Sequence, residues 1–305
     1  EISILELGSS MPGEIKTLCE ISDPTHGLIT NIAPAHYMNF GSIQNIVNEK
    51  VELFNYLKDG TCFLNVADKE LSKVHIKGKR ITFGINVNCD FKGLTSLNND
   101  GTFNLTIAKS ITLKRLRNSS FIKNIISTSA VALTIGLKES MIKSRVDSFQ
   151  TPKGRCQISK VNGITIIDDT YNANPDSFLA AIRSLRKMLP EGKLLCLAGQ
   201  MAELGSAGAA GHFEIGQILK EDSYEIQAVG TDGARKYLEG FGKDLERMSE
   251  PGEHYRFFFP DSAELADHIE RNSQYYLSFD GILVKGSRSA RMEQACEALK
   301  RIGYV

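Results

Sequence analysis

The chain has no tryptophan, no net charge and no pair of cysteines spaced as Cys-x-x-Cys. Each absence excludes something. Thirty-six Lys and Arg balance thirty-six Asp and Glu, so no polyanion partner is indicated and nucleic acid is not expected. Cys19, Cys62, Cys89, Cys156, Cys196 and Cys296 are scattered, which reads as reduced thiols of a cytoplasmic protein rather than disulfides or a zinc site. No apolar run is long enough to span a bilayer, and the first residues have no signal-peptide layout, so no membrane insertion is expected. Neither Gly-x-Gly-x-x-Gly nor Gly-x-Ser-x-Gly occurs, which removes the dinucleotide fingerprint and the hydrolase elbow. There is no low-complexity tract or repeat.

What remains is a 305-residue chain, 42% hydrophobic and 24% charged, long enough for two globular domains. Residues 2–7 read as a strand, 14–21 as a helix, 27–32 as a strand and 42–57 as a helix, the alternation of a parallel sheet. A core strand at the very first residue, without an initiator Met, leads to the expectation that the chain is a fragment. Short β-rich runs at 62–66, 80–83, 103–107 and 111–116 predict a smaller, partly antiparallel sheet, and 121–137 and 140–149 predict helices. Thr151-Pro-Lys-Gly154 is the linker candidate. Beyond it, apolar runs at 164–167, 194–197, 226–229, 255–259 and 282–284 alternate with helical periodicity at 175–188, 210–219, 233–240, 263–273 and 291–302, a Rossmann-like open sheet.

Asp168-Asp-Thr-Tyr-Asn-Ala-Asn-Pro175 is the most informative stretch. It joins an apolar strand to an amphipathic helix, at the sheet edge where α/β proteins bind ligands. Asn174 as N-cap and Pro175 at the first helical position account for a connector. They leave Asp168, Asp169, Tyr171 and Asn172 unexplained. Lys285-Gly-Ser-Arg-Ser289, with Arg291, suits an anionic group at another strand end, or is a solvated basic loop. Gly199-Gln-Met-Ala-Glu-Leu-Gly205, followed by His212 and Glu214, is a polar loop that could equally be a connector. In the first half, Glu6 ends one strand, His36 lies just past the next, and Lys50 lies on the apolar stripe of its helix. Singly, these read as an ion-pair partner, a loop or core histidine, and a lysine snorkelling to solvent. Together they suit a charged site, with Mg²⁺ only where phosphate oxygens are also present. Arg155, just past the linker, could reach across a cleft.

Glu6-Leu-Gly8, Met11-Pro-Gly-Glu-Ile15, Thr30-Asn-Ile-Ala-Pro-Ala-His36, Lys50-Val-Glu-Leu-Phe54, Asp168 through Ser177, and Val284-Lys-Gly-Ser-Arg-Ser289 with Arg291-Met-Glu293 resemble the Mur ligases, specifically the MurF type. The resemblance runs over the whole chain. It implies an α/β architecture: a truncated central ATP-binding domain, residues 1–150, with a parallel sheet plus a small β-sheet, then a Rossmann-like C-terminal ligase domain, residues 151–305. It implies an ATP-dependent ligase of peptidoglycan synthesis, a monomer, adding D-alanyl-D-alanine to UDP-N-acetylmuramoyl-tripeptide through an acyl phosphate. It also implies residue roles. Glu6 and His36 hold Mg²⁺. Lys50 matches the lysine the family carbamylates. Asn124 lies near adenine, Asp169 reaches the ribose and Arg155 contacts ATP. Asn172, Asn174, Lys285, Ser287 and Arg288 handle the acyl and dipeptide substrates.

The chain departs from the family pattern. The Gly-Lys-Thr/Ser phosphate loop and the domain gripping the uridine nucleotide are not among these residues, Asn118-Ser-Ser-Phe121 replaces Gly-x-His-Asn, and Gln200 stands where Asp is usual. The 305 residues alone are therefore expected not to turn over. The competing readings are a folylpolyglutamate synthase-like amide ligase and a non-catalytic truncated relative.

Overall fold

The computed structural model describes residues 2–33, 37–98, 103–108, 111–116, 119–202, 204–243 and 257–303. The chain divides into two compact units, Glu1–Phe149 and Gln150–Val305. Among the described residues no helix is long and apolar enough to cross a membrane.

The first unit runs α1 (Glu14–Ser22), β1 (His26–Ile29), α2 (Tyr37–Phe40), α3 (Ile43–Tyr56), β2 (Thr61–Asn65), β3 (Lys79–Ile85), β4 (Phe91–Leu97), β5 (Phe103–Ile107), β6 (Ile111–Leu116), α4 (Ser119–Thr134) and α5 (Glu139–Ser148). Its strands form one sheet in the order β1-β2-β3-β4-β5-β6. The pairs from β1 to β4 are parallel, and β4-β5-β6 is an antiparallel meander. The expected small sheet is thus the continuation of the parallel one. The link is β4, missed in the sequence because Phe91–Leu97 carries a glycine and two hydroxyl residues. Helix α4 covers one face, with Ile122, Ile125 and Ile126 against Phe63, Phe83, Leu105 and Leu113. On the other face Phe54 and Leu57, at the end of α3, meet Ile29, Cys62 and Leu64.

The strand expected over residues 2–7 does not form. Ile4 is 91% exposed, and β1 is the edge of the sheet with β2 as its one neighbour. An apolar alternating segment is a strand only when another supplies its ladder hydrogen bonds, and no described strand pairs with this one.

The second unit runs β7 (Gln157–Val161), β8 (Ile164–Asp169), α6 (Pro175–Met188), β9 (Leu194–Gly199), α7 (Gly208–Glu221), β10 (Tyr224–Val229), α8 (Asp232–Phe241), β11 (Phe258–Phe259), α9 (Ser262–Arg271), α10 (Ser273–Leu277), β12 (Gly281–Lys285) and α11 (Glu293–Ile302). The sheet order is β11-β10-β9-β12-β8-β7. All pairs are parallel except β7 with β8, a hairpin turned at Asn162-Gly163, both with positive φ. The sequence reading missed β7, whose residues are half polar because it is an edge strand. Strands β8, β9 and β12 are buried throughout. That is why they read as continuous apolar runs rather than alternating ones. Leu195, Leu197, Ile282 and Val284 face α9–α11. Leu194, Cys196, Ala198 and Leu283 face α6–α8.

This layering positions the functional edge. After β8 the chain passes to α6 on one face, and after β12 it passes to α11 on the other. The two strands are neighbours, so a crevice opens between their C-terminal ends, where an open α/β sheet binds ligands.

Candidate functional site

The edge of the second unit is built on the turn after β8. Asn174 caps α6: its side chain accepts from the Ser177 amide at 2.8 Å, the Ser177 hydroxyl closes the capping box, and Pro175 occupies the first turn. This strong cap starts the helix where the sequence placed it. It also gives Asn174 a structural task beside any role toward a ligand.

Within the turn, Lys285 at the end of β12 is 1% exposed. Its Nζ donates to Asp169 Oδ2 at 2.5 Å and to the Asn172 carbonyl at 3.0 Å. The other oxygen, Oδ1, accepts from the Cys156 amide at 3.0 Å. A buried cation must be paired, and here the pairing ties three segments together. Asp168 points into the other layer, where it accepts from Thr170 Oγ1 at 2.8 Å. Burial, reinforced by the Asp168 charge, pushes the Cys296 thiol well above its usual range and keeps it neutral.

Arg155 lies over the Tyr171 ring, 4.0 Å from its centroid. The ring is 44% exposed, so this is a surface cation–π contact rather than a core one. The close approach depends on Gly154, whose carbonyl accepts from the Tyr171 amide at 2.9 Å. Its φ is +72°, and a Cβ would come 2.9 Å from Thr170 Oγ1. Ser287 is buried and donates through its hydroxyl to the Gln200 carbonyl at 2.7 Å. Arg288 is exposed, 3.9 Å from Glu293.

The structure therefore gathers Asp169, Asn172 and Lys285 directly and joins Ser287 to them through the β12 turn. Sequence reasoning missed Tyr171 as the platform under Arg155 and the Cys156 amide as the second partner of Asp169. No spacing in the chain signals either, because each contact depends on how the segment after Gly154 folds back.

In the first unit, the sequence-predicted residues are less assembled. Glu6 is exposed on the segment outside any strand, and His36 lies outside the described residues. No three His, Cys, Asp or Glu among the described residues converge as metal ligands. Lys50 is half-buried on α3, and burial lowers its pKa, with Glu49 opposing the shift. Asn124 is exposed on α4.

The support around these residues is well made. The buried Glu49 accepts from the Gly13 and Ile15 amides at 2.7 and 2.8 Å, satisfying the first turn of α1 from a neighbouring helix. Glu14 accepts from the Ser10 and Met11 amides. An open groove of about 750 Å³ is lined by Gly8, Ser10, Gly13, Glu14 and Thr17. At the ends of β1 and β2, Asn65 donates to the Thr30 carbonyl at 2.7 Å and Asp68 accepts from the Ile32 amide at 3.0 Å.

Against known proteins, residues 1–132 match the Mur ligase middle domain and residues 154–288 match the Mur ligase, glutamate ligase domain. The chain is 31% identical over 310 residues to the UDP-N-acetylmuramoyl-tripeptide–D-alanyl-D-alanine ligase of Haemophilus influenzae, covering 98% of this chain and 64% of that protein. It is 27% identical to the ligase of the same name from Bacillus subtilis, with the same coverage. A crystal structure of MurF from Acinetobacter baumannii superposes with a TM-score of 0.79 at 25% identity, covering 97% of this chain and 64% of that one. A MurF ligase from Thermotoga maritima, solved in complex with ADP, has the same fold, with a TM-score of 0.78 at 23% identity, covering 98% of this chain and 66% of that one. The two units thus have the α/β folds of two domains of these ligases. The chain belongs to the Mur ligase family. It spans about 64% of the length of the curated relatives it matches.

Proposed function

We propose that this chain forms the middle and C-terminal domains, residues 1–150 and 151–305, of a cytoplasmic, monomeric ATP-dependent ligase that joins D-alanyl-D-alanine to UDP-N-acetylmuramoyl-tripeptide. The observation that carries this reading is the similarity of 98% of this chain to ligases of that name. The tripeptide carboxylate takes the γ-phosphoryl group of ATP to give an acyl phosphate. The dipeptide amine then displaces phosphate and forms the amide.

Bound Mg²⁺ would neutralise the phosphate charge that builds during this transfer. Mg²⁺ keeps several waters and takes one or two carboxylates beside phosphate oxygens, and by the family resemblance Glu6 with His36 would hold it. Lys50, as its carbamate, would help to order a second Mg²⁺. Its amine adds to CO₂ and releases one proton, which requires the neutral amine that burial favours. Arg155, backed by Tyr171, would contact the ATP phosphates, Asp169 the ribose and Asn124 the adenine side. Asn172, Asn174, Lys285, Ser287 and Arg288 would orient the acyl group and the dipeptide. Lys285, neutralised by Asp169, orients through fixed geometry rather than through free charge.

The test is phosphate release by the protein of the complete reading frame carrying these residues, supplied with MgATP, the nucleotide tripeptide and D-alanyl-D-alanine. Release that needs both substrates is expected. Release with a folate and glutamate, and none with the dipeptide, would overturn the assignment.

A further inference from the structure

His212 lies on α7, outside the turns that carry the proposed substrate residues, and is 3% exposed. Its two ring nitrogens have partners of opposite kind. Nδ1 is 2.6 Å from the Gly208 carbonyl, which can only accept, so Nδ1 carries the proton. Nε2 is 2.9 Å from the main-chain N–H of Met201, which can only donate, so Nε2 is bare. The ring is a neutral imidazole of one tautomer, and burial pushes its pKa in the same direction, downward.

The same turn is held from α8. The Tyr237 hydroxyl donates to the Gly199 carbonyl at 3.1 Å, and its ring stands edge-on to His212 with centroids 4.7 Å apart. Gly233 leaves room for the imidazole, since a Cβ there would lie 2.6 Å from Nε2. Between the two clamped residues is Gln200. Its carbonyl accepts both the amide of Ser287, at 3.1 Å, and the Ser287 hydroxyl. Ser287 follows Lys285 by two residues.

We propose that His212 is a positioning residue: by accepting the Met201 N–H it holds the Gly199–Met201 turn, and through the Gln200 carbonyl it sets the register of the Lys285–Ser289 turn. The consequence for catalysis rests on the ligase reading; the latch itself does not.

The groups packed against the ring are the Gly208 carbonyl of α7, Gly233 and Tyr237 of α8, and Met201 of the turn. Tyr237, raised well above the usual phenol range by burial, stays neutral, and no described charged group biases the imidazole. A second proton on His212 would set N–H against N–H, so the latch opens when the ring is protonated.

The test is ¹⁵N NMR of the His212 ring with amide hydrogen exchange across the chain. At neutral pH Nδ1 should be protonated and Nε2 bare. His212→Ala should lower protection of the Met201 and Ser287 amides about fivefold to tenfold, the size one neutral hydrogen bond supports, and leave the Leu197 and Leu283 strand amides unchanged. His212→Gln, whose Oε1 has the same reach, should restore protection. A protonated Nε2 at neutral pH, or unchanged Met201 protection in His212→Ala, overturns the latch. If that variant does not fold, acid titration of the native chain decides: loss of Met201 protection with ring protonation supports the latch, and persistence overturns it. In the complete enzyme, His212→Ala should raise KM for the dipeptide more than it lowers kcat, with rescue by Gln. A latch proven by exchange with KM unmoved overturns the functional half alone.

Discussion

Lys285 and Asp169 sit directly opposite one another on adjacent parallel strands, with Nζ and Oδ2 2.5 Å apart. The pair is buried, so its members are interdependent. Asp169→Leu leaves a buried ammonium unpaired and is expected to cost about 3–5 kcal/mol. The double variant Asp169→Leu, Lys285→Met should recover most of that loss. Urea unfolding of the four species of the cycle gives the coupling, and additivity of the single effects would refute it.

Lys50 makes stability depend on pH. Its folded pKa is below the unfolded value, so between the two the unfolded chain holds more protons and stability rises with pH. Below the folded pKa both states are protonated and the burial cost is present in full. Lys50→Met should therefore be more stable than the native chain at neutral pH, with the difference shrinking as pH climbs towards the ordinary lysine range. Thermal melts across that range check the sign. In the complete enzyme, Lys50→Ala should lose activity and regain part of it with small carboxylic acids; no rescue in a folded variant counts against the carbamate.

Asn174 and Asn172 should separate stability from binding. Asn174→Ala removes the cap of α6 and is expected to cost about 0.5–2 kcal/mol. Asn172 holds Lys285 through its carbonyl, so Asn172→Ala keeps that contact and loses only the side-chain bond from the Ala173 amide, expected to cost about 0.5–1.5 kcal/mol. Beyond that cost, its effect should appear in substrate KM.

Tyr171→Ala should leave folding almost intact, because an exposed cation–π contact contributes about 0.5–1 kcal/mol. Freed of its platform, Arg155 should bind ATP less well, raising KM for ATP a few fold (about 0.5–1 kcal/mol at roughly tenfold per 1.4). An unchanged KM would remove Arg155 from the nucleotide contacts.

Much of the second unit was legible in the chain. The run 175–188 was placed to the residue because its cap is local: Asn174, Pro175 and Ser177 settle the start within four positions. The strands at 164–169, 194–199 and 281–285 were visible because burial on both faces demands unbroken apolar runs. Residues 2–7 also read as a strand and form none, since a ladder needs a partner that periodicity cannot show. His212 is the sharper example. In sequence it stood evenly between function and connector, and only its two opposed partners make it a latch.

Local propensity and apolar period thus determined most of the elements and the polar turns after the strands. Tertiary structure alone decided which turns meet. Lys285 finds Asp169 because β12 inserts between β8 and β9, bringing together residues 116 positions apart. Strand order is set by packing summed over the whole sheet, so no window of sequence contains it.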